Sequence, residues 1–296
     1  LLLKIPPKFT YQVLKSNAAL IERQTGISIK VKKVADIVRK NLPAAVFTKK
    51  ASDIINDPSI SIVVETIGGV NPAKSFIIAA LKAGKDVVTS NKEVLAKHGA
   101  EIYRVAEKNK AKILCEGSVG GGIPILRPLR RALAGEKIEE IYGIVNGTTN
   151  YILSKMADAG DDFKDVLLEA QKKGFAEANP ASDIEGLDAK YKIQILASFA
   201  YHARVNINDI YVEGITKIAK ADIHYAKELG HTIKLIALAK TVNGELDVRV
   251  HPLMIPSDHP LAKVSGPFNA IYVKGSTVGN LMFYGQGAGA LPTGSA

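Results

Sequence analysis

The sequence of 296 residues has no tryptophan and a single cysteine, Cys115. One cysteine makes no internal disulfide, so the fold must hold by packing alone. No apolar run approaches the roughly 20 residues that span a bilayer. The opening Leu1-Leu2-Leu3-Lys4-Ile5-Pro6-Pro7 lacks the basic flank, the apolar length and the small-residue cleavage site of a secretory leader. These absences predict a cytoplasmic protein with no membrane partner. The six histidines show no metal-ligand spacing, which argues against zinc. Also missing is a basic stripe interleaved with aromatics. The 39 Lys and Arg are scattered among 29 Asp and Glu, so the formal charge of +10 predicts attraction for small anionic ligands and no nucleic-acid partner.

What is present is an ordinary globular composition, 47% hydrophobic and 23% charged, in a chain long enough for about two domains. From Ala51 to Leu114 helix and strand patterns alternate. A short helix runs to Asn56, a strand from Ile60 to Val64, and a helix from Pro72 to Ala83 closed by Gly84. A strand from Asp86 to Thr89, a helix from Asn91 to Lys108 and a strand from Ala111 to Leu114 follow. Apolar strands separated by helices of this length predict parallel crossovers in a Rossmann-like, doubly wound sheet. After Gly122 the pattern becomes α+β. It has a helix to Ala134, a strand from Lys137 to Val145, and helices at Thr148–Ala157, Asp162–Lys173 and Leu187–Ala203. Lys234–Val242 and Glu245–Met254 flank Asn243-Gly244, the pair best suited to a two-residue hairpin turn with positive φ at both positions. Two more strands are expected at Ala270–Lys274 and Thr277–Tyr284. The predicted fold class is α/β, a Rossmann-like doubly wound parallel sheet over residues 1–120, rejoined by 285–296, plus an α+β domain over 121–284. No internal repeat or low-complexity linker is visible.

Four segments carry candidate chemistry. Ser90-Asn91-Lys92-Glu93 leaves a parallel strand and opens a helix, with Ser90 and Glu93 at capping-box spacing. Lys92 is a cation against the positive end of that helix, which suggests an anionic or carbonyl partner at the carboxyl end of the sheet. In the Gly- and Pro-punctuated stretch from Gly174 to Lys192, Asp188 and Lys192 stand four apart on one helical face. A surface ion pair would explain the spacing, but the following Ile193, Ile195, Leu196, Ala197 and Phe199 bury the helix, and long irregular loops in compact domains usually serve function. Glu116-Gly117-Ser118-Val119-Gly120-Gly121-Gly122-Ile123-Pro124 is either an interdomain turn or a carbonyl-lined loop around a cation. Thr148, in Asn146-Gly147-Thr148-Thr149-Asn150-Tyr151, reads as a helix cap or as a ligand contact.

Glu65-Thr66-Ile67-Gly68-Gly69, Thr89 to Lys92, Glu116 to Pro124, Asn146 to Tyr151, the Glu177 to Lys192 loop and Gly285-Gln286-Gly287-Ala288-Gly289 occur in the order and at the approximate spacings of the homoserine dehydrogenases. The sequence resembles that family from about residue 11 to 296. The resemblance implies an NAD- or NADP-dependent enzyme, a homodimer, interconverting homoserine and aspartate semialdehyde, with the nucleotide bound by the first domain and substrate binding, catalysis and dimerisation assigned to the second. It implies that Lys192 is the acid/base, that Lys92 lies beside the nicotinamide and the reacting carbon, and that Asp188 bonds the substrate hydroxyl. Glu177 would hold the substrate ammonium with Asp183 close by, and Gly147 and Thr148 would contact the amino-acid end. Thr66, Ile67, Gly68, Thr89, Ser90, Lys92 and Gly287 would contact the cofactor. Glu116 and the carbonyls of Val119, Gly121 and Ile123 resemble the family's site for a monovalent cation, Na+ or K+. Asp36 suits ribose hydroxyls and Arg39 a 2′-phosphate, which tilts the expectation to NADP.

The sequence departs from the family at its amino end, where Leu2, Lys4 and Pro7 stand in the positions of a G-x-G-x-x-G turn. Glycines there give the tight turn and the close approach to a pyrophosphate, so their replacement predicts weak dinucleotide binding. At the carboxyl end the sequence stops just after Thr293, with no regulatory domain expected beyond it. The alternative reading is therefore a catalytically impaired, dimeric relative with a defective dinucleotide site.

Overall fold

The computed structural model describes residues 7–39 and 42–296. The chain divides into two units, Leu1–Ser118 with Gly289–Ala296, and Val119–Ala288. Leu2 and Lys4 lie outside the described residues, whereas Pro7 opens the first helix.

The first unit begins with helices α1 (Pro7–Ser16) and α2 (Ala18–Thr25), strands β1 (Val34–Ala35) and β2 (Phe47–Thr48), and the short α3 (Ser52–Ile55). It continues through β3 (Ile62–Glu65), α4 (Ala73–Lys82), β4 (Asp86–Thr89), α5 (Lys92–Lys108) and β5 (Ile113–Leu114). β3, β4 and β5 form a parallel sheet in that order, and β1 and β2 pair in parallel as a separate ribbon among the described residues. Strands Asp86–Thr89 and helix Lys92–Lys108 fall where the apolar pattern places them. The helix is amphipathic, burying Val94, Leu95, Ala96, Ile102 and Ala106. Gly84, at φ 73, takes the left-handed conformation that lets the chain leave α4 and enter β4.

The second unit is built on a six-stranded sheet in the order β11-β10-β6-β8-β9-β7. Its elements are β6 (Ile138–Ile144), α6 (Gly147–Ala159), α7 (Phe163–Lys172), α8 (Ala181–Ile184), α9 (Leu187–Ala200), β7 (Tyr211–Val212) and α10 (Lys220–Glu228). The long hairpin β8 (His231–Val242) and β9 (Glu245–Pro256) follows, then β10 (Phe268–Gly275) and β11 (Gly279–Gln286). Asn243 and Gly244 turn the hairpin with φ 51 and 84, as the dipeptide predicts. β8 lies centrally, and its run from Ile233 to Ala239 is buried, with Ile236 and Leu238 packed among Ile144, Ile255, Leu261, Val264 and Ala270. α9 packs on β8 and β9. Helix α11 (Ala290–Ser295) belongs to the first unit, where it packs on α1.

Three local expectations need correction. The helix predicted after Gly122 shrinks to a wide-turned segment over Pro128–Ala132, with Leu133 N–H donating to Pro128 O at 2.9 Å. That bond reaches back five residues instead of four, which widens the turn. α9 stops at Ala200, and His202, at φ 49, turns the chain away. The capping of α5 also differs, as described below.

Candidate active site

In the first unit the loops leaving β3, β4 and β5 gather at the carboxyl ends of the parallel strands. Asn91, not Ser90, caps α5: its side chain accepts from Val94 N–H at 3.2 Å. Both residues are competent caps, and the backbone at Asn91 (φ −84, ψ 85) settles which one leaves the helix. The amide of Asn91 donates to Gly69 O at 2.7 Å, tying the loop after β4 to the loop after β3. Lys92 is consequently the first helical residue, half-buried at the positive end of the helix. Glu65 is buried at the end of β3. Its Oε1 accepts from Ile67 N–H at 2.6 Å and its Oε2 from the Thr89 hydroxyl at 2.6 Å. Glu65 therefore shapes the Thr66–Gly68 loop and anchors Thr89, a role the sequence reading did not assign. A side chain at Gly69 (φ 67) would meet nothing within 4 Å, so the backbone there is open to a flat group. Beyond β5, a Cβ at Gly117 would lie 2.9 Å from Thr293 Cγ2 and 3.4 Å from Ser90 Cβ, so Ser90, Gly117 and Thr293 meet in this unit. A strand-end position with bare backbone fits a dinucleotide. Asp36 accepts from Val38 N–H at 3.4 Å, and Arg39 Nε donates to Leu42 O at 2.8 Å.

In the second unit Gly186, at φ 84, turns the chain into α9 with no side-chain cap. Asp188 then falls in the first turn of α9, favourable for an acid, and Lys192 one turn later. Both are buried, with relative exposures of 6% and 7%, so the alternative of a solvated surface pair fails. Lys192 Nζ donates to Asp188 Oδ2 and to Val145 O, each at 2.6 Å. The carbonyl of Val145 comes from the end of β6, so strand and helix hold the ammonium together.

The chain after Val145 supplies the rest of the cluster. Asn146 caps α6, accepting Thr149 N–H at 2.9 Å. Thr148 is therefore not the cap: its hydroxyl lies 2.7 Å from Phe175 O and 3.2 Å from Asp183 Oδ2, and it binds the acidic loop to α6. Asn146 Nδ2 donates to Asp183 Oδ1 at 2.7 Å and to Asp188 Oδ2 at 3.0 Å. Gly147 has no room for a side chain, because a Cβ there would lie 2.7 Å from Pro267 O. Glu177 is exposed, and its carboxylate makes no hydrogen bond or ion pair among the described residues. The structure thus brings Asp183, Asp188, Lys192 and Thr148 together around a residue, Asn146, that the sequence reading passed over.

Gly120 and Gly121 are both left-handed, at φ 69 and 59, in a turn with Val119 fully buried and Ile123 N–H donating to Gly120 O at 2.9 Å. A Cβ at Gly121 would lie 2.7 Å from the carbonyl of Gly287, and one at Gly287 would lie 1.9 Å from Asn269 Cγ. Gly287 is a glycine because it is stacked between these two residues. Glu116 begins the 3-10 turn Glu116–Ser118 of the first unit, and Cys115 before it is buried. Among the described residues no group of three or more His, Cys, Asp and Glu is placed to hold a metal. No described helix is long and apolar enough to cross a membrane.

A parallel α/β unit with its loops gathered at the strand ends, followed by an antiparallel unit carrying a buried acid–lysine pair, is the architecture of the two-unit dehydrogenases. Comparison with known proteins narrows the class. The family model "Homoserine dehydrogenase" matches residues 124–296, and "Homoserine dehydrogenase, NAD binding domain" matches residues 12–116. The chain belongs to the homoserine dehydrogenase family. It is 50% identical over 260 residues to the homoserine dehydrogenase of Synechocystis, covering 86% of this chain and 60% of that protein. The chain thus spans about 60% of the length of that curated relative. A crystal structure of a homoserine dehydrogenase from Thiobacillus denitrificans superposes with a TM-score of 0.95 at 43% identity, over 97% of this chain and 68% of that one. A hyperthermophilic archaeal homoserine dehydrogenase in complex with NADPH superposes with a TM-score of 0.82 at 27% identity, over 97% and 90% of the two chains. Nothing in these comparisons supports the alternative of an impaired relative.

Proposed function

We propose that the chain catalyses the NAD(P)-dependent interconversion of L-homoserine and L-aspartate 4-semialdehyde, a step towards threonine, methionine and isoleucine. The observation that carries this reading is the buried Asp188–Lys192 pair with Val145 O as the third member. Carbonyl reduction builds negative charge on oxygen, and an ammonium fixed by two short bonds stabilises and protonates that oxygen. In the oxidative direction the same nitrogen takes the hydroxyl proton. Asp188 bonds the hydroxyl and keeps Lys192 aimed. Glu177, solvent-exposed and with no ion pair among the described residues, pairs with the substrate ammonium in ground and transition states alike. Asp183, Gly147 and Thr148 shape the floor for the amino-acid end.

The cofactor supplies or accepts the hydride. Thr66, Ile67, Gly68, Thr89, Ser90 and Lys92 on the first unit, and Gly287 on the second, are its proposed contacts. NADP is the proposed partner, because Arg39 suits a 2′-phosphate and the archaeal relative was solved with NADPH. The carbonyls of Val119, Gly121 and Ile123 are the proposed ligands of a monovalent cation, Na+ or K+. We place the protein in the cytoplasm as a homodimer. The deciding experiment follows NADPH and NADH absorbance with aspartate semialdehyde, and NADP+ and NAD+ with homoserine. Turnover in neither direction with any of the four cofactors would overturn the reading.

A further inference from the structure

Asn146 occupies a position that a helix cap alone does not explain. Its side chain is buried, and all its hydrogen-bonding capacity is engaged. Oδ1 accepts from Thr149 N–H at 2.9 Å and lies 3.0 Å from Thr149 Oγ1. A backbone N–H only donates, so the atom facing it must be the amide oxygen, and the amide nitrogen must face the other way. There it meets two carboxylates, Asp183 Oδ1 at 2.7 Å and Asp188 Oδ2 at 3.0 Å. An amide nitrogen has two N–H groups, and one goes to each acid.

Asp188 Oδ2 also receives the Lys192 ammonium at 2.6 Å, and that ammonium donates as well to Val145 O, at the residue before Asn146. Two consecutive residues at the end of β6 thus fix both members of the pair, one through its carbonyl and one through its side chain. Loss of the amide removes one restraint on the Asp188 carboxylate, and a turn of its second oxygen towards Lys192 would tighten the ion pair and draw the ammonium away from the reacting oxygen. Two anions side by side also repel, and a neutral double donor relieves this without adding a positive charge that would compete with Lys192.

Resting on the proposed reaction, we infer that Asn146 is a positioning residue: it bridges Asp183 and Asp188 and so holds Lys192 in the geometry for proton transfer, without touching the substrate. The test separates this role from capping. Serine caps helices about as well as asparagine but is too short to donate to either acid, and Asn146→Asp keeps a capping oxygen while replacing the donor with a third carboxylate. Both variants keep the cap and should fold, each with a lowered melting temperature, and Asn146→Asp should lose the more because it adds a carboxylate beside Asp183 and Asp188. Each should lose about a hundredfold in kcat, the scale of a misplaced catalytic group, with a smaller change in the KM for homoserine. In Asn146→Ser the isotope effect measured with 4-deuterated reduced cofactor should rise towards its intrinsic value as the chemical step becomes limiting.

A second readout needs no turnover. The 15Nζ signal of Lys192, observed by NMR in the full chain, should exchange with water faster in Asn146→Ser than in wild type. Wild-type kcat together with an unchanged Lys192 signal would reduce Asn146 to a cap and overturn the inference. An inactive wild-type chain whose Lys192 signal responds to Asn146→Ser would overturn the proposed reaction while leaving the positioning role in place. An inactive wild-type chain whose Lys192 signal ignores Asn146→Ser would overturn both.

Discussion

Lys192 Nζ stands 2.6 Å from Asp188 Oδ2 one helical turn away, and both side chains are buried. Lys192→Ala should lower turnover by at least about a hundredfold, the usual scale for a positioned acid/base. Lys192→Arg should be similarly slow, because a guanidinium keeps the charge but does not release a proton near neutral pH. Steady-state kinetics in both directions checks this, with far-UV circular dichroism to confirm the fold. Near-normal turnover in either variant removes Lys192 from the mechanism.

Glu177 makes no ion pair of its own among the described residues, so neutralising it should not disturb the fold. Glu177→Gln should raise the KM for homoserine more than it lowers kcat, because the carboxylate grips the ammonium equally before and during the reaction. A fall in kcat at unchanged KM would assign it a different role.

Lys234 is buried under α6, where its ammonium donates to Val264 O at 2.7 Å, Asn150 Oδ1 at 3.1 Å and Ser154 Oγ at 3.2 Å. Burial pushes its pKa down from the ordinary 10.5 to about 8. The neutral amine still donates two bonds and accepts one from Ser154, so the network survives loss of the proton. Below pH 8 folded and unfolded chains are both protonated, and the folded state carries the full cost of the buried charge. Between pH 8 and 10 the unfolded chain binds the proton and the folded chain does not, so stability rises with pH. Beyond pH 10 the sign reverses, because burial holds the Tyr142 hydroxyl pKa up at about 12 and folding then retains a proton that the unfolded chain sheds. Urea titrations from pH 7.5 to 9.5 should show the rise in wild type and lose it in Lys234→Met. A slope equal in both proteins would count against Lys234 as its source.

A Cβ at Gly287 would lie 1.9 Å from Asn269 Cγ, and both polar atoms of the Asn269 amide are buried without a partner among the described residues. Gly287→Ala should destabilise the second unit by about 1–3 kcal/mol through overpacking. Adding Asn269→Ala should restore much of that loss, since it vacates the space and also removes an unsatisfied amide. Thermal melts of the single and double variants form the cycle, and additive losses would show that the two sites do not share the clash.

What the sequence revealed and what it concealed follow from how local each signal is. Asn243-Gly244 announces its turn because the dipeptide's own φ preferences decide it. Asp188 and Lys192 stood out because their four-residue spacing sits on a helix whose following residues, Ile193, Ile195, Leu196, Ala197 and Phe199, are mostly apolar. Asn146 did not stand out: its cap is local, but its second role depends on acids 37 and 42 residues away. Lys234 stood first in the expected strand Lys234–Val242. β8 in fact begins three residues earlier, at His231, which moves the lysine into the sheet interior under a helix that the pattern could not place above it. Asn269 was lost for a similar reason, since the strand was expected from Ala270 and begins at Phe268. Ser90 and Asn91 are equally good caps by residue type, so only the backbone angle at the strand end separates them.

The first unit closes on α11, which the ribosome reaches only after the whole of Val119–Ala288 has been made. At about 5–20 residues per second, the nascent α1 waits on the order of ten to thirty seconds for the partner that packs against it, while the intervening unit can finish folding by itself. Synthesis order and completion order are therefore reversed in this chain.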